Sequence, residues 1–398
     1  MNQVLLGATI ASLRKQKYMT QAKLAEILNV SHKTISKWET GLGYPEISIL
    51  PRLASVLGVT VDYLLSGERQ GISVAGNLHW DTIQYLDADY RTELLANVSR
   101  ISQDVGGSVP NIALNLAKID PSVPLFAVGC IGLDENGRRI LARLQQYYIQ
   151  TGGVTPVNAP TGTNNLLIEP SGERFQIRSA DANALFDPLN IDISSLNCRI
   201  FHFDRLYLPG YWEPDKEYGY KLARAMHDLQ EAGILTSIGA IHTRFQPTLE
   251  QLSTILPYCD YLIIDCIWLE FLPKDPTSKQ GATRNQQMQQ FLDLGVREKV
   301  CLFPEYTDGL CLSKNGRFTK VQMPEIRPEA IISTRTYSDD GCAGCLYGFH
   351  QGYPDQKILE YALATMAIGL TKKHNAEGMR SKKEIQQYIE LGREKASP

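Results

Sequence analysis

From Gly71 to about residue 380 the chain alternates short apolar, β-rich runs with stretches of helical spacing. The runs include "GISVAG", "VPLFAVGCIG", "NNLLIEP", "CRIFHFDRL", "GILTSIGA" and "YLIIDCI". Strands of this length separated by helices build a largely parallel sheet joined by crossover connections, so an α/β domain is expected here. The 70 residues before it carry no such alternation. A chain of 398 residues has room for both parts as separate domains.

The first segment reads as five short helices. "LLGATIASLRKQK" spaces Leu5, Leu6, Ile10 and Leu13 on one face. Thr20 is placed to cap "QAKLAEIL", and Ser31 to cap "HKTISKWET", which stops at Gly41. Pro45 is expected to open the next helix, and Thr60 to cap "VDYLLSGE". Only Asn29 and Val30 lie between the second helix and the cap of the third. That is the tight turn of a helix-turn-helix, whose second helix enters the major groove. Residues 1–70 hold eight Lys or Arg against five acids. That balance of +3 sits inside a total of −3, so the rest carries −6. A basic end on an acidic body hints at nucleic acid.

The pieces "TQAKLAEILNVSHKTISKWETG", "PEISILPRLASVLGV" and "VDYLLSGE" resemble the Cro/repressor-type (XRE) helix-turn-helix family. The resemblance implies that Gln21 grips a phosphate and that Ser31, His32, Lys33, Thr34 and Lys37 face the bases. Their chemistry agrees, since Lys reaches guanine O6 and N7 and Thr meets a thymine methyl. Ile35 and Trp38 read as core. The rival reading is a helical protein-docking domain with a solvated basic face.

In the second segment, "DVGGSVPNIALNLAKI" puts Gly106, Gly107 and Asn111 at the start of a small-residue helix. Backbone amides and an Asn side chain there suit a polyhydroxylated ligand; a plain turn is the alternative. "SVAGNLHWD" places Asp81 just after the first strand, where it is either a hydroxyl acceptor or a turn residue. "TGTNNLLIEPSGERFQI" reads as a hairpin turning at Ser171-Gly172.

In that order these motifs resemble the ribokinase-like (PfkB) carbohydrate kinase family. The resemblance implies a doubly wound α/β domain with a small β-sheet lid. It also implies that Asp81, Gly106, Gly107 and Asn111 hold sugar hydroxyls. The expected organisation is an XRE-type head at 1–67 and a ribokinase-like domain at 71–398. The family's late Gly-rich motif forms an anion hole at a helix start and ends in the Asp that takes the sugar proton. Laid on "SDDGCAGCLYG", it makes Gly341, Cys342, Ala343 and Gly344 the anion-hole remnant and Cys345 the base position. A thiol of ordinary pKa about 8.5 is a poor substitute for a carboxylate. Asp339 or Asp340 is a possible replacement. Two further departures lie in the ATP half. Asp265 and Trp268, or Glu270 out of register, stand where an N-x-x-E pattern belongs. Tyr306 precedes Gly309 where a glycine belongs.

Cys342 and Cys345 also form a C-x-x-C pair, but no thioredoxin-like unit surrounds it and a zinc site needs two more ligands. No metal is expected, and ATP and Mg only if kinase activity survives. The eight cysteines are scattered, which suits reduced thiols. No run of about 18 apolar residues occurs, so no membrane partner is expected and the reading is cytoplasmic. The leading expectation is a DNA-binding regulator, dimeric, whose body senses a sugar, sugar phosphate or nucleoside without phosphorylating it. A working sugar kinase that also binds DNA, and a ligand-free dimerisation scaffold, are the alternatives.

Overall fold

The structure is a computed structural model describing residues 3–89, 95–204, 206–240, 247–272, 283–304, 307–327, 330–331, 337–371 and 378–396. It divides into two compact units.

The first unit takes in Met1–Gly71 and Asp192–Arg199. Its helices are α1 (Gln3–Gln16), α2 (Gln21–Leu28), α3 (His32–Glu39), α4 (Leu50–Leu57) and α5 (Val61–Ser66). The caps form as the sequence dictates. Thr20, Ser31 and Thr60 accept from the amides of Lys23 (3.1 Å), Thr34 (3.1 Å) and Tyr63 (3.2 Å). Leu6, Ile10, Leu24, Ile35, Trp38 and Leu53 form the core. Pro45 does not open a helix. The chain after it turns at Glu46, whose carbonyl accepts from Ile49, and α4 begins five residues later with Pro51 in its first turn. The segment Asp192–Arg199, which the sequence places with the α/β part, packs in this unit instead. The Gly71 amide donates to the Asn197 carbonyl at 2.9 Å, and Arg69 Nη1 donates to the Leu196 carbonyl at 2.6 Å.

The second unit opens with β1 (Gly71–Ala75), β2 (His79–Leu86) and β3 (Val98–Gly106). There follow α6 (Ser108–Ile119), β4 (Leu125–Gly132), α7 (Glu135–Gln145), β5 (Gln150–Val157), β6 (Thr163–Ile168) and β7 (Arg174–Arg178). Next come β8 (Cys198–Asp204), the short β9 (Pro214–Asp215) and β10 (Gly219–Tyr220), α8 (Lys221–Glu231), β11 (Leu235–Ala240), α9 (Leu249–Ile255) and β12 (Tyr261–Asp265). The chain finishes with α10 (Arg284–Asp293), β13 (Lys299–Phe303), β14 (Asp308–Ser313), β15 (Phe318–Gln322), α11 (Tyr337–His350), α12 (Asp355–Leu370) and α13 (Lys382–Ala396).

Nine strands form the main sheet in the order β15-β14-β13-β12-β11-β8-β1-β4-β5. Pairs such as β1–β4 and β8–β11 are parallel, and β13–β14 and β14–β15 are antiparallel. The second sheet, β3-β2-β6-β7, is the expected lid. Its hairpin β6–β7 turns at Gly172, whose φ of 87° is in the left-handed region. Among the described residues no helix is long and apolar enough to cross a membrane.

Candidate functional site

Asp81 lies inside β2 rather than after a strand, and is buried. The register sets Asp104, Asp81, Asn164 and Arg178 side by side across β3, β2, β6 and β7. Directly opposed residues share a sheet face, so this row is one wall of the lid. The Asp81 carboxylate packs on Gly106, where any Cβ would overlap it. Gly107 has φ 90°, and a Cβ there would strike the Asn77 carbonyl.

Two amides at the start of α6, those of Ser108 and Val109, are already used. Asn77 Oδ1 accepts from both the Ser108 amide and its hydroxyl at 2.9 Å, and the Asn77 carbonyl accepts from the Val109 amide at 3.3 Å. Asn77, which the sequence reading passed over, therefore caps α6. Its Nδ2 also lies 3.1 Å from the Tyr207 hydroxyl. What α6 offers is side chains. Asn111 Nδ2 donates to Asp339 Oδ2 at 2.7 Å, and Asn115 Nδ2 donates to Asp340 Oδ1 at 2.5 Å. Having donated through nitrogen, Asn111 keeps its buried Oδ1 with no partner among the described residues.

The Gly-rich stretch is placed differently from the sequence expectation. Residues 338–350 are helical throughout, and Asp339 and Asp340 occupy the first turn of α11. Amides beyond the first turn of a helix are spent on internal bonds. Gly341, Cys342, Ala343 and Gly344 are therefore not an anion hole. Their small size serves packing. Gly341 lies under Met366, Gly344 against Thr365 and Ala362, and Gly348 against Ile358, all on α12. Cys345 sits about two turns into α11 and is fully buried. Burial pushes its thiol pKa up, against a lowering by the hydrogen bond with Cys301. Cys301 and Cys311 are opposed across β13 and β14. Cys342 faces elsewhere, its Sγ 3.3 Å from His202 Nε2. The carboxylates at the helix start are Asp339, held by Asn111, and Asp340, held by Asn115 and packed on Gly369, where a Cβ would overlap it.

In the expected nucleotide half, Asp265 Oδ1 accepts from the Ile267 amide at 3.0 Å and caps a short turn. Trp268 is core, 6.4 Å from the Phe291 ring. Gly309 lies in β14, where a Cβ would crowd Phe303 and Leu359. Tyr306 and the side chain of Glu270 lie outside the described residues.

On the head, His32, Lys33 and Lys37 are exposed along α3. Ser31 and Thr34 are occupied with each other, their hydroxyls 2.8 Å apart. Gln21 is also engaged, since its Nε2 donates to Glu39 Oε2 at 2.7 Å. Glu39 in turn takes a bidentate pair from Arg14, at 2.5 and 2.9 Å, and the two side chains are only 6% and 10% exposed. Burial alone raises the Glu39 pKa. The hydrogen bonds from Arg14 and Gln21 reverse this and hold it below the usual carboxylate value.

Residues 71–382 match the model of the pfkB family of carbohydrate kinases, and residues 10–64 match a helix-turn-helix model. The HTH-type transcriptional activator BcrR of Enterococcus faecalis is 49% identical over 59 residues, 15% of this chain and 29% of that protein. The ATP-dependent ribose-1-phosphate kinase of Halopiger xanaduensis is 29% identical over 166 residues, 41% of this chain and 51% of that protein. The chain thus spans 29% and 51% of the lengths of these curated relatives. A ribokinase from Thermotoga maritima shares the fold, with a TM-score of 0.65 at 19% identity over 81% of this chain and 99% of that one.

Proposed function

Because the chain belongs to the pfkB carbohydrate kinase family and carries a helix-turn-helix segment ahead of that domain, we propose that it is a ligand-responsive transcription regulator. The head binds operator DNA through α3, with His32, Lys33 and Lys37 as the exposed candidates for base and phosphate contacts. Ser31 and Thr34 stay at the helix start but share their hydroxyls with each other, and Gln21 acts beside the buried pair it supports.

The body binds a sugar, sugar phosphate or nucleoside against Asp81, Gly106, Gly107 and Asn111 without transferring phosphate. The observation that supports this is Cys345, at the position expected of the base, which is a thiol fully buried inside α11 beside Cys301. ATP and Mg enter only in the kinase alternative, and no step is routed through them.

Two such chains acting together suit a head this small, since half-sites about 34–36 Å apart double its contacts. The lid face opposite Asp81 exposes Ile101, Phe175 and Ile177 among polar residues such as Thr82 and Gln103, a mixture that supports pairing with a second copy. A kinase reading keeps one point in its favour, because the carboxylates Asp339 and Asp340 stand at the helix start where Cys345 does not.

Calorimetry separates these. D-ribose, D-fructose, adenosine and their phosphates are titrated into the full chain with and without Mg-ATP, and phosphate transfer is assayed alongside. Heat without turnover is the expected result. Turnover near about 1 s⁻¹ or faster, within the ordinary enzyme range, contradicts the proposal. Its loss in Asp339→Asn or Asp340→Asn would then select the kinase.

A further inference from the structure

We propose that Asn164 is a ligand-contacting residue that sets specificity, and that the ligand presents two neighbouring hydroxyls to it and to Asp81. The inference rests on the polyol-binding reading of the body. Asn164 is the Cα partner of Asp81 in the parallel pair β2–β6, so both side chains stand on the same lid face. It is 6% exposed, and its Oδ1 is buried with no hydrogen-bond partner among the described residues. A buried amide oxygen left in that state costs about 1–3 kcal/mol, and such atoms in a folded protein call for a partner.

The Asp81 and Asn164 part of this wall offers acceptors. Asp81 when ionised only accepts. Asn164 Oδ1 accepts beside it, one strand spacing away, about 4.8 Å. On α6, Asn111 Oδ1 is a third acceptor, its amide nitrogen being committed to Asp339. A group that satisfies such a set must bring donors at adjacent positions. A vicinal diol does so, as on a ribose ring. A phosphate does not satisfy these oxygens, because it too brings only acceptors; the cation of the row, Arg178, lies beyond Asn164. The ligand's hydroxylated edge therefore faces Asp81 and Asn164.

The test uses the full chain and matched probes, D-ribose against 2-deoxy-D-ribose and adenosine against 2′-deoxyadenosine, by calorimetry. Wild type is expected to bind the hydroxylated member of at least one pair about tenfold or more tightly than its deoxy partner. Asn164→Leu is expected to lose that preference by weakening the hydroxylated probe about tenfold while changing the deoxy probe less than about twofold. Asn164→Ala, which removes the oxygen without adding bulk, should do the same. Unchanged ligand-free operator binding and melting temperature show that the variants are folded. If hydroxylated probes bind wild type and both variants equally well, or deoxy probes bind wild type as tightly, the role of Asn164 is overturned while the sensing reading stands. If no probe binds wild type, the sensing reading itself falls, and this inference with it.

Discussion

A Cys345→Asp chain is expected to be severely destabilised and to transfer no phosphate. The substitution writes the family's Gly-rich motif more faithfully, but the other departures in the ATP half already speak against a gain of chemistry. The structure adds a stronger reason. Cys345 is fully buried in α11, beside Cys301 on β13, and no cationic partner waits for a carboxylate there. A buried, unpaired carboxylate either stays charged at large cost or takes a proton it would not hold in water. The loss is on the order of 4 kcal/mol or more, large against a whole-domain stability of about 5–15 kcal/mol. A thermal melt of the body and a transfer assay with Mg-ATP check it. Full stability together with new turnover would show that Cys345 faces a substrate after all.

Glu39→Ala is expected to unfold the head, or nearly so, and to abolish operator binding with it. The Arg14–Glu39 pair is almost fully enclosed, and Arg14 also donates to the Met19 carbonyl at 2.6 Å, tying α1 to the turn before α2. Removing one partner of a buried pair leaves the other uncompensated, which costs about 3–5 kcal/mol. A helical unit of this size has little more than that to lose. Acid should act on the same pair. Glu39 is held below its ordinary pKa, so the folded head binds fewer protons than the unfolded one as pH falls through the unfolded value of about 4.3. The pair's stabilisation is fully present above that pH and is lost as pH falls through the lower folded value. Head melting of the wild type followed by circular dichroism should be flat in this contribution from pH 8 to 5 and decline below about pH 4.3.

The pattern of what the sequence disclosed follows from how local each determinant is. Thr20, Ser31 and Thr60 cap helices through atoms three residues away, and all three are read directly. The alternation after Gly71 gives the sheet because period and turn chemistry are also local. Pro45 misleads because a proline suits a turn as well as a helix start, and here Glu46 closes a turn first. The stretch from Ser338 misleads for a deeper reason. Glycines that let a backbone approach a phosphate and glycines that let two helices approach each other spell alike. Gly341, Gly344 and Gly348 are of the second kind, a fact fixed by α12 far along the chain. Asn77 and Asn164 were invisible because their roles come from non-local neighbours. One caps a helix that starts 31 positions later, and the other acquires its meaning from strand register with Asp81. Asn111 was visible as polar at a helix start, but not its bond to Asp339.

Sensing without transfer makes a direct demand on the DNA-bound state. A ligand that prefers one conformation of the body must shift operator affinity by its differential affinity for the two states. The most direct measurement is operator binding by the full chain, titrated with the sugar or nucleoside that gives heat in the calorimetric panel, for wild type and for Asp81→Ala. Asp81 is buried on the lid face and packed on Gly106, away from the reading helix in sequence and in unit. The account predicts that ligand changes wild-type operator affinity at least about fivefold, the lower end of ordinary coupling. It also predicts that Asp81→Ala binds operator as wild type does without ligand and ignores the ligand. An Asp81→Ala chain that still responds fully, or a wild type whose operator affinity does not change at saturating ligand, would contradict it.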